Sequence, residues 1–128
     1  MPRIDFDAKR TYDADRFSAE GAFLTDRTKV ICGFFEPGQF IPVHAPSSDL
    51  VVSVRSGRGI VREGDTDHRV TAGDVVSVMA ETKRGIRADD DSRLEALLVV
   101  TPPPTDAEHD PVRRGLSNDE FEPELDAD

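Results

Sequence analysis

The sequence has no tryptophan, one tyrosine, one cysteine and two methionines, so its core must be aliphatic, with phenylalanine as the main aromatic. A single Cys32 permits no internal disulfide and agrees with a reducing compartment. Within Val30-Ile31-Cys32-Gly33-Phe34-Phe35 it reads as a small buried residue, not a nucleophile. No apolar run nears the roughly 20 residues a membrane span needs. Met1-Pro2-Arg3-Ile4-Asp5-Phe6-Asp7 lacks the apolar centre of a signal peptide, so a soluble cytoplasmic protein is expected. No basic run or aromatic-basic interleaving occurs, which argues against nucleic acid as a partner. The chain also has no Gly-x-Ser-x-Gly elbow, phosphate-binding glycine loop or Cys-x-x-Cys pair, so esterase, nucleotide and dithiol chemistries find no support.

What is present fits one domain. A chain of 128 residues buries about two thirds of its unfolded surface without crosslinks. Its apolar residues, 37% of the total, gather between Val30 and Val100, and the core is expected there. Three segments follow: an N-terminal arm (1–29), a β-domain (30–104) and an acidic C-terminal tail with short helical turns (105–128). The tail holds nine acids and two arginines, or −7 of the net −10. Thirteen arginines against three lysines, with seventeen aspartates, match the halophilic composition of proteins from salt-loaded cytoplasms, where acidic surfaces maintain solubility.

In the arm, Ile4 and Phe6 alternate with Asp5 and Asp7, which allows a short edge strand, on a partner's sheet or on its own. Val30 to Phe35 reads as a strand, Glu36-Pro37-Gly38 as a turn and Phe40 to His44 as the next strand. Leu50 to Ser56 is β-branched, Gly57-Arg58-Gly59 is expected to break it, and Ile60 to Glu63 resumes. His68 to Thr71 and Val75 to Met79 follow. An irregular segment is expected through Arg84 to Asp91, and then Leu94 to Thr101 before three prolines. About eight short strands punctuated by Gly and Asp argue for an all-β antiparallel β-barrel or jelly roll. Thr105-Asp106-Ala107-Glu108 and Ser117-Asn118-Asp119-Glu120 have capping-box spacing, while Phe121 to Asp128 reads as mobile.

Two glycine-framed stretches carry a family resemblance. The first runs from Gly38 through His44, Pro46 and Asp49-Leu50 to Gly57 and Gly59; the second runs from Gly73-Asp74 through Met79 and Arg84 to Gly85. Their spacing, over Ile31 to Pro104, resembles the paired motifs of the cupin superfamily. That resemblance implies a cupin-like barrel, a homodimer, and a metal held by two histidines, a glutamate and a third histidine. Here His44 stands at the first of those positions, Pro46 at the second, Leu50 or Val51 at the glutamate and Arg84 at the last. One donor side chain of four leaves no metal or other cofactor expected. If a rearranged metal site exists, its ligands would be His44, His68 and Asp49.

Arg84 is permanently charged and donates only, so a barrel interior containing it would attract a carboxylate or phosphate. Two placements are open for it: inside the barrel, or at the rim, in solvent or paired with Glu81 or Asp49. His44 likewise reads either as a bonded core or surface residue or as a ligand contact. If both face inward, they hold a small anion against a wall of Phe40, Leu50, Val52, Val54 and Met79. No catalytic residue is assigned. The favoured reading is a non-enzymatic small-molecule-binding or accessory protein. Its alternatives are a metal-dependent isomerase, lyase or dioxygenase around His44 and His68, and a structural partner of another protein.

Overall fold

Gly57 and Gly59 bend the longest strand of the protein instead of ending it. In the computed structural model, which describes residues 3–125, β4 (Asp49–Glu63) runs unbroken through both glycines. Gly57 has φ +84°, which favours glycine, and the pairing register shifts between Val54 and Ser56. Backbone pairing continues on either side of that irregularity, so a break in local propensity becomes a corner. Before the corner β4 pairs with β6 (Val75–Val78) and β8 (Leu94–Thr101); after it, with β5 (Thr66–Thr71) and β7 (Arg84–Ala88).

The described residues form eight strands. β1 (Ser18–Leu24) and β2 (Lys29–Phe35) extend the sheet beyond β8, and β3 (Phe40–His44) extends it beyond β7, in the order β1-β2-β8-β4-β7-β3. Every pairing is antiparallel, and the sheet curls into a half-barrel around one core. Alternation puts Leu50, Val52 and Val54 of β4 inside and leaves Asp49 and Val51 exposed. Leu94, Ala96 and Leu98 of β8 complete that wall. The fold is the all-β antiparallel architecture expected from the strand pattern.

Two strands depart from the expectation. β7 occupies part of the segment expected to be irregular. Its Arg84-Gly85-Ile86-Arg87-Ala88 has little strand propensity, but it is paired on both edges, by β3 and β4, and that context prevails. β1 lies in the supposed arm, its small residues drawn into the sheet by pairing with β2. Ile4 to Phe6 form no strand. Phe6 instead tucks under the outer face of the sheet, 5.2 Å between ring centroids from Phe34 and beside the buried Cys32. Arg10 and Tyr12 both bond the carboxylate of Glu95, so the arm is latched to its own sheet.

At the other end, Thr105 and Glu108 exchange capping-box hydrogen bonds, followed by a 3-10 turn at Ala107–His109 and helix α1 (Asp110–Asn118). Ser117 begins no second helix. It lies near the end of α1, which stops at left-handed Asp119. Phe121, at the start of the stretch expected to be mobile, is docked on β3. The carbonyl of Phe121 accepts the N–H of Val43 at 2.7 Å and its ring packs edge-on against Phe40, because an aromatic in an acidic stretch still gains by burial. The end of that stretch, 126–128, lies outside the described residues. Among the described residues no helix is long and apolar enough to cross a membrane.

Candidate functional site

One end of the half-barrel holds a cavity of about 280 Å³, bounded by β2, β3, β4, β7 and β8 and partly covered by the segment from Pro104 to Arg113. His44 and Arg84 reach it from facing positions of β3 and β7, where they are register partners. An ideal strand would turn Ile41 and His44 to opposite faces. The register shift between them brings both to the cavity. Ile31, Leu50, Ile86 and Leu98 supply apolar walls.

Both polar side chains are buried: His44 is 8% exposed and Arg84 3%. The Nδ1–H of His44 donates to the Pro42 carbonyl at 2.9 Å, which fixes the tautomer and leaves Nε2 as an acceptor. Burial, reinforced by the fields of Arg84 and His109, pushes the imidazole down to about 4, against the pull of the Pro42 hydrogen bond. His44 is therefore neutral at pH 7. Arg84 donates from Nε to the Thr82 carbonyl at 3.2 Å and from Nη2 to the Met79 carbonyl at 2.9 Å. Burial lowers its pKa, and Asp49, which raises it, has Oδ1 occupied by the Ala80 N–H at 2.8 Å.

Among the described residues, Arg84 forms no ion pair and no carboxylate lines the cavity. No buried side-chain nitrogen or oxygen lacks a partner there, and neither Nε2 of His44 nor Nη1 of Arg84 is hydrogen-bonded. Both atoms are therefore open to the cavity. Lys29, His109 and Arg113 stand at its more exposed side, and burial, with the fields of Lys29 and Arg113, lowers the pKa of His109. Arg113 is neutralised by Asp106 and Asp110.

Of the residues expected at the site, His44, Leu50 and Arg84 share this cavity. Phe40, Val52, Val54 and Met79 do not line it. Phe40 faces away from Ile41 onto Phe121, Val52 and Val54 are sealed in the packed core, and Met79, just beyond inward Val78, is 76% exposed. The sequence reading missed Phe17, Ile31, Lys29, His109 and Arg113, contributed by the arm, β2 and the tail. The Thr105-Glu108 box hinted at ordered structure there, but nothing in it showed where the helix docks.

The proposed rearranged ligand set does not assemble. His68 is on β5 with Nε2 2.8 Å from Glu63, and Asp49 is outward on β4. Among the described residues no group of three or more His, Cys, Asp or Glu could hold a metal ion.

A curled antiparallel sheet closed over a cavity at one end defines a double-stranded β-helix protein. The chain belongs to the cupin domain family, whose model matches residues 34–100, more than half its length. Among solved structures, the TT1209 protein of Thermus thermophilus is similar at 25% identity and TM-score 0.78, over 81% of this chain and 100% of that one. An RmlC-like cupin protein from Desulfovibrio desulfuricans is 28% identical, with TM-score 0.65 over 73% and 90%. An uncharacterised protein with a double-stranded β-helix domain from Klebsiella pneumoniae has TM-score 0.72 at 20% identity, over 78% and 89%. Among curated proteins none matches this chain by sequence.

The metal implied by the family resemblance does not fit the residues present. His44, Pro46, Leu50 and Arg84 all line one cavity, while Val51, the other candidate for the glutamate position, is exposed. Three of them offer no lone pair from the side chain, and one is a cation.

Proposed function

We propose that this cupin binds a small organic anion in the cavity between His44 and Arg84, as a ligand-binding or accessory protein whose former metal site has become an anion site. The observation that carries this reading is Arg84. The residue is 3% exposed, forms no ion pair among the described residues, leaves Nη1 unbonded and borders a cavity without acids. An unpaired buried charge costs several kcal/mol even after relaxation, so a bound anion would restore what the fold withholds. In a chain of net charge −10, an acid-free cavity at a buried arginine is a selective surface for an anion. The apolar walls favour an organic anion over an inorganic one.

Calorimetric titration with hexanoate and with hexanamide tests this. Hexanoate is expected to bind, hexanamide to bind at least tenfold more weakly, and Arg84→Gln to abolish the difference. Stoichiometric transition metal after purification without chelators would overturn the reading in favour of metal chemistry.

A further inference from the structure

The second polar atom of the cavity narrows the ligand class. Nδ1–H of His44 is committed to the Pro42 carbonyl, so the free nitrogen, Nε2, presents a lone pair and no proton. Arg84 presents the reverse, a free N–H and no acceptor. The two stand opposite each other on β3 and β7. A plain carboxylate satisfies Arg84 but turns oxygen lone pairs toward the lone pair of Nε2. Relief by protonating the imidazole would put a second cation beside a buried guanidinium, and burial already holds His44 down to about 4.

Resting on the anion-binding reading, we infer that the ligand is a 2-hydroxy monocarboxylate with an apolar tail: Arg84 takes the carboxylate and Nε2 of His44 accepts the hydroxyl proton. The polar pair then meets complementary chemistry on both atoms. An acceptor left unpaired when a ligand excludes water is penalised, the origin of strong discrimination by polar sites. The tail lies against Ile31, Leu50 and Leu98. The cavity is about twice the roughly 150 Å³ that accommodates benzene in a protein interior, which sets the ligand at roughly ten heavy atoms.

The experiment compares 2-hydroxyhexanoate, hexanoate and hexane-1,2-diol by calorimetry on the full chain. The expected order is 2-hydroxyhexanoate at least tenfold tighter than hexanoate, with the diol weakest. His44→Phe should abolish the preference for the hydroxy acid while hexanoate still binds. His44→Gln, which keeps an acceptor, should retain part of the preference, and circular dichroism verifies that both variants fold. Equal affinities for the two acids in the unaltered protein, both lost in Arg84→Gln, would overturn this inference and leave the anion reading standing. No binding of either acid would overturn both.

Discussion

His44 and Arg84 face each other across the β3–β7 pair as an acceptor and a donor, both more than nine-tenths buried and neither ion-paired among the described residues. The pair sets a conflict between stability and binding. Met79, whose carbonyl receives Arg84 together with that of Thr82, is 76% exposed, whereas Arg84 is 3% exposed. Arg84→Met is therefore expected to raise stability by about 1 kcal/mol, as when buried ions are exchanged for apolar groups of similar volume. The same change should abolish carboxylate binding. Thermal melts and calorimetry on one preparation check both halves, and a lowered melting temperature would show that the two carbonyl bonds outweigh desolvation.

The depressed pKa of His44 has a definite consequence for acid stability. Its folded value is about 4 and its ordinary value 6.5. Between the two, the unfolded chain binds a proton that the native state refuses, so stability falls as pH drops from 6.5 and levels off below 4. The groups acting on the ring are Arg84, His109, Glu108 and the Pro42 carbonyl. The shift corresponds to about 3 kcal/mol over that window. Glu95 and Glu108, both held below the ordinary carboxylate range by hydrogen bonds, add a further loss at lower pH. Urea midpoints at pH 7, 5.5 and 4.5 should show a shallower slope for His44→Phe than for the parent between 6.5 and 4.5. Identical slopes would refute the depressed value.

Gly59 tests the corner of β4. A Cβ there would stand 2.2 Å from the Arg87 carbonyl oxygen, on a strand pinned between β5 and β7. Gly59→Ala should cost about 2–3 kcal/mol as the β4–β7 pair is forced apart. Gly21→Ala, where a Cβ meets nothing within 4 Å, is the matched control and should leave the melting temperature nearly unchanged.

How much of this is legible in the sequence depends on whether the signal is local. Leu94 to Thr101 reads as a strand to the residue, because an aliphatic run meets Pro102. Gly57-Arg58-Gly59 shows a disturbance, but whether it stops or bends the strand is decided by partners some thirty residues away, at Leu94 and Ala88. β7 is invisible because its residues are charged or small and only double-edged pairing makes them a strand. The motif spacing does locate His44, Leu50 and Arg84 around one cavity. It cannot show that Arg84 is buried without a direct ion pair, nor that the chain's ends supply Phe17 and His109 to the same space. Met79 is misplaced by one position of alternation, since inward Val78 sends its neighbour out.

The closure over the cavity rests on Gly115. In an isolated helix Ala would be favoured over Gly by about 1 kcal/mol, yet here a Cβ would lie 2.5 Å from Cβ of Pro42 and 2.7 Å from the Glu120 carbonyl oxygen. Gly115→Ala must therefore lift α1 from β3, and His109, Val112 and Arg113 move with it. At the other end the Glu108 carboxylate accepts the N–H groups of Ser47 and Thr105, at 2.6 and 2.9 Å, and anchors the segment independently. The helix should therefore hinge open without detaching, and a bound carboxylate should leave several-fold faster while the sheet keeps its circular dichroism signal. Adding Glu108→Ala removes the anchor and should accelerate release further. Stopped-flow release of hexanoate from the single and double variants measures this, and rates equal to the parent's would show that α1 does not close the cavity.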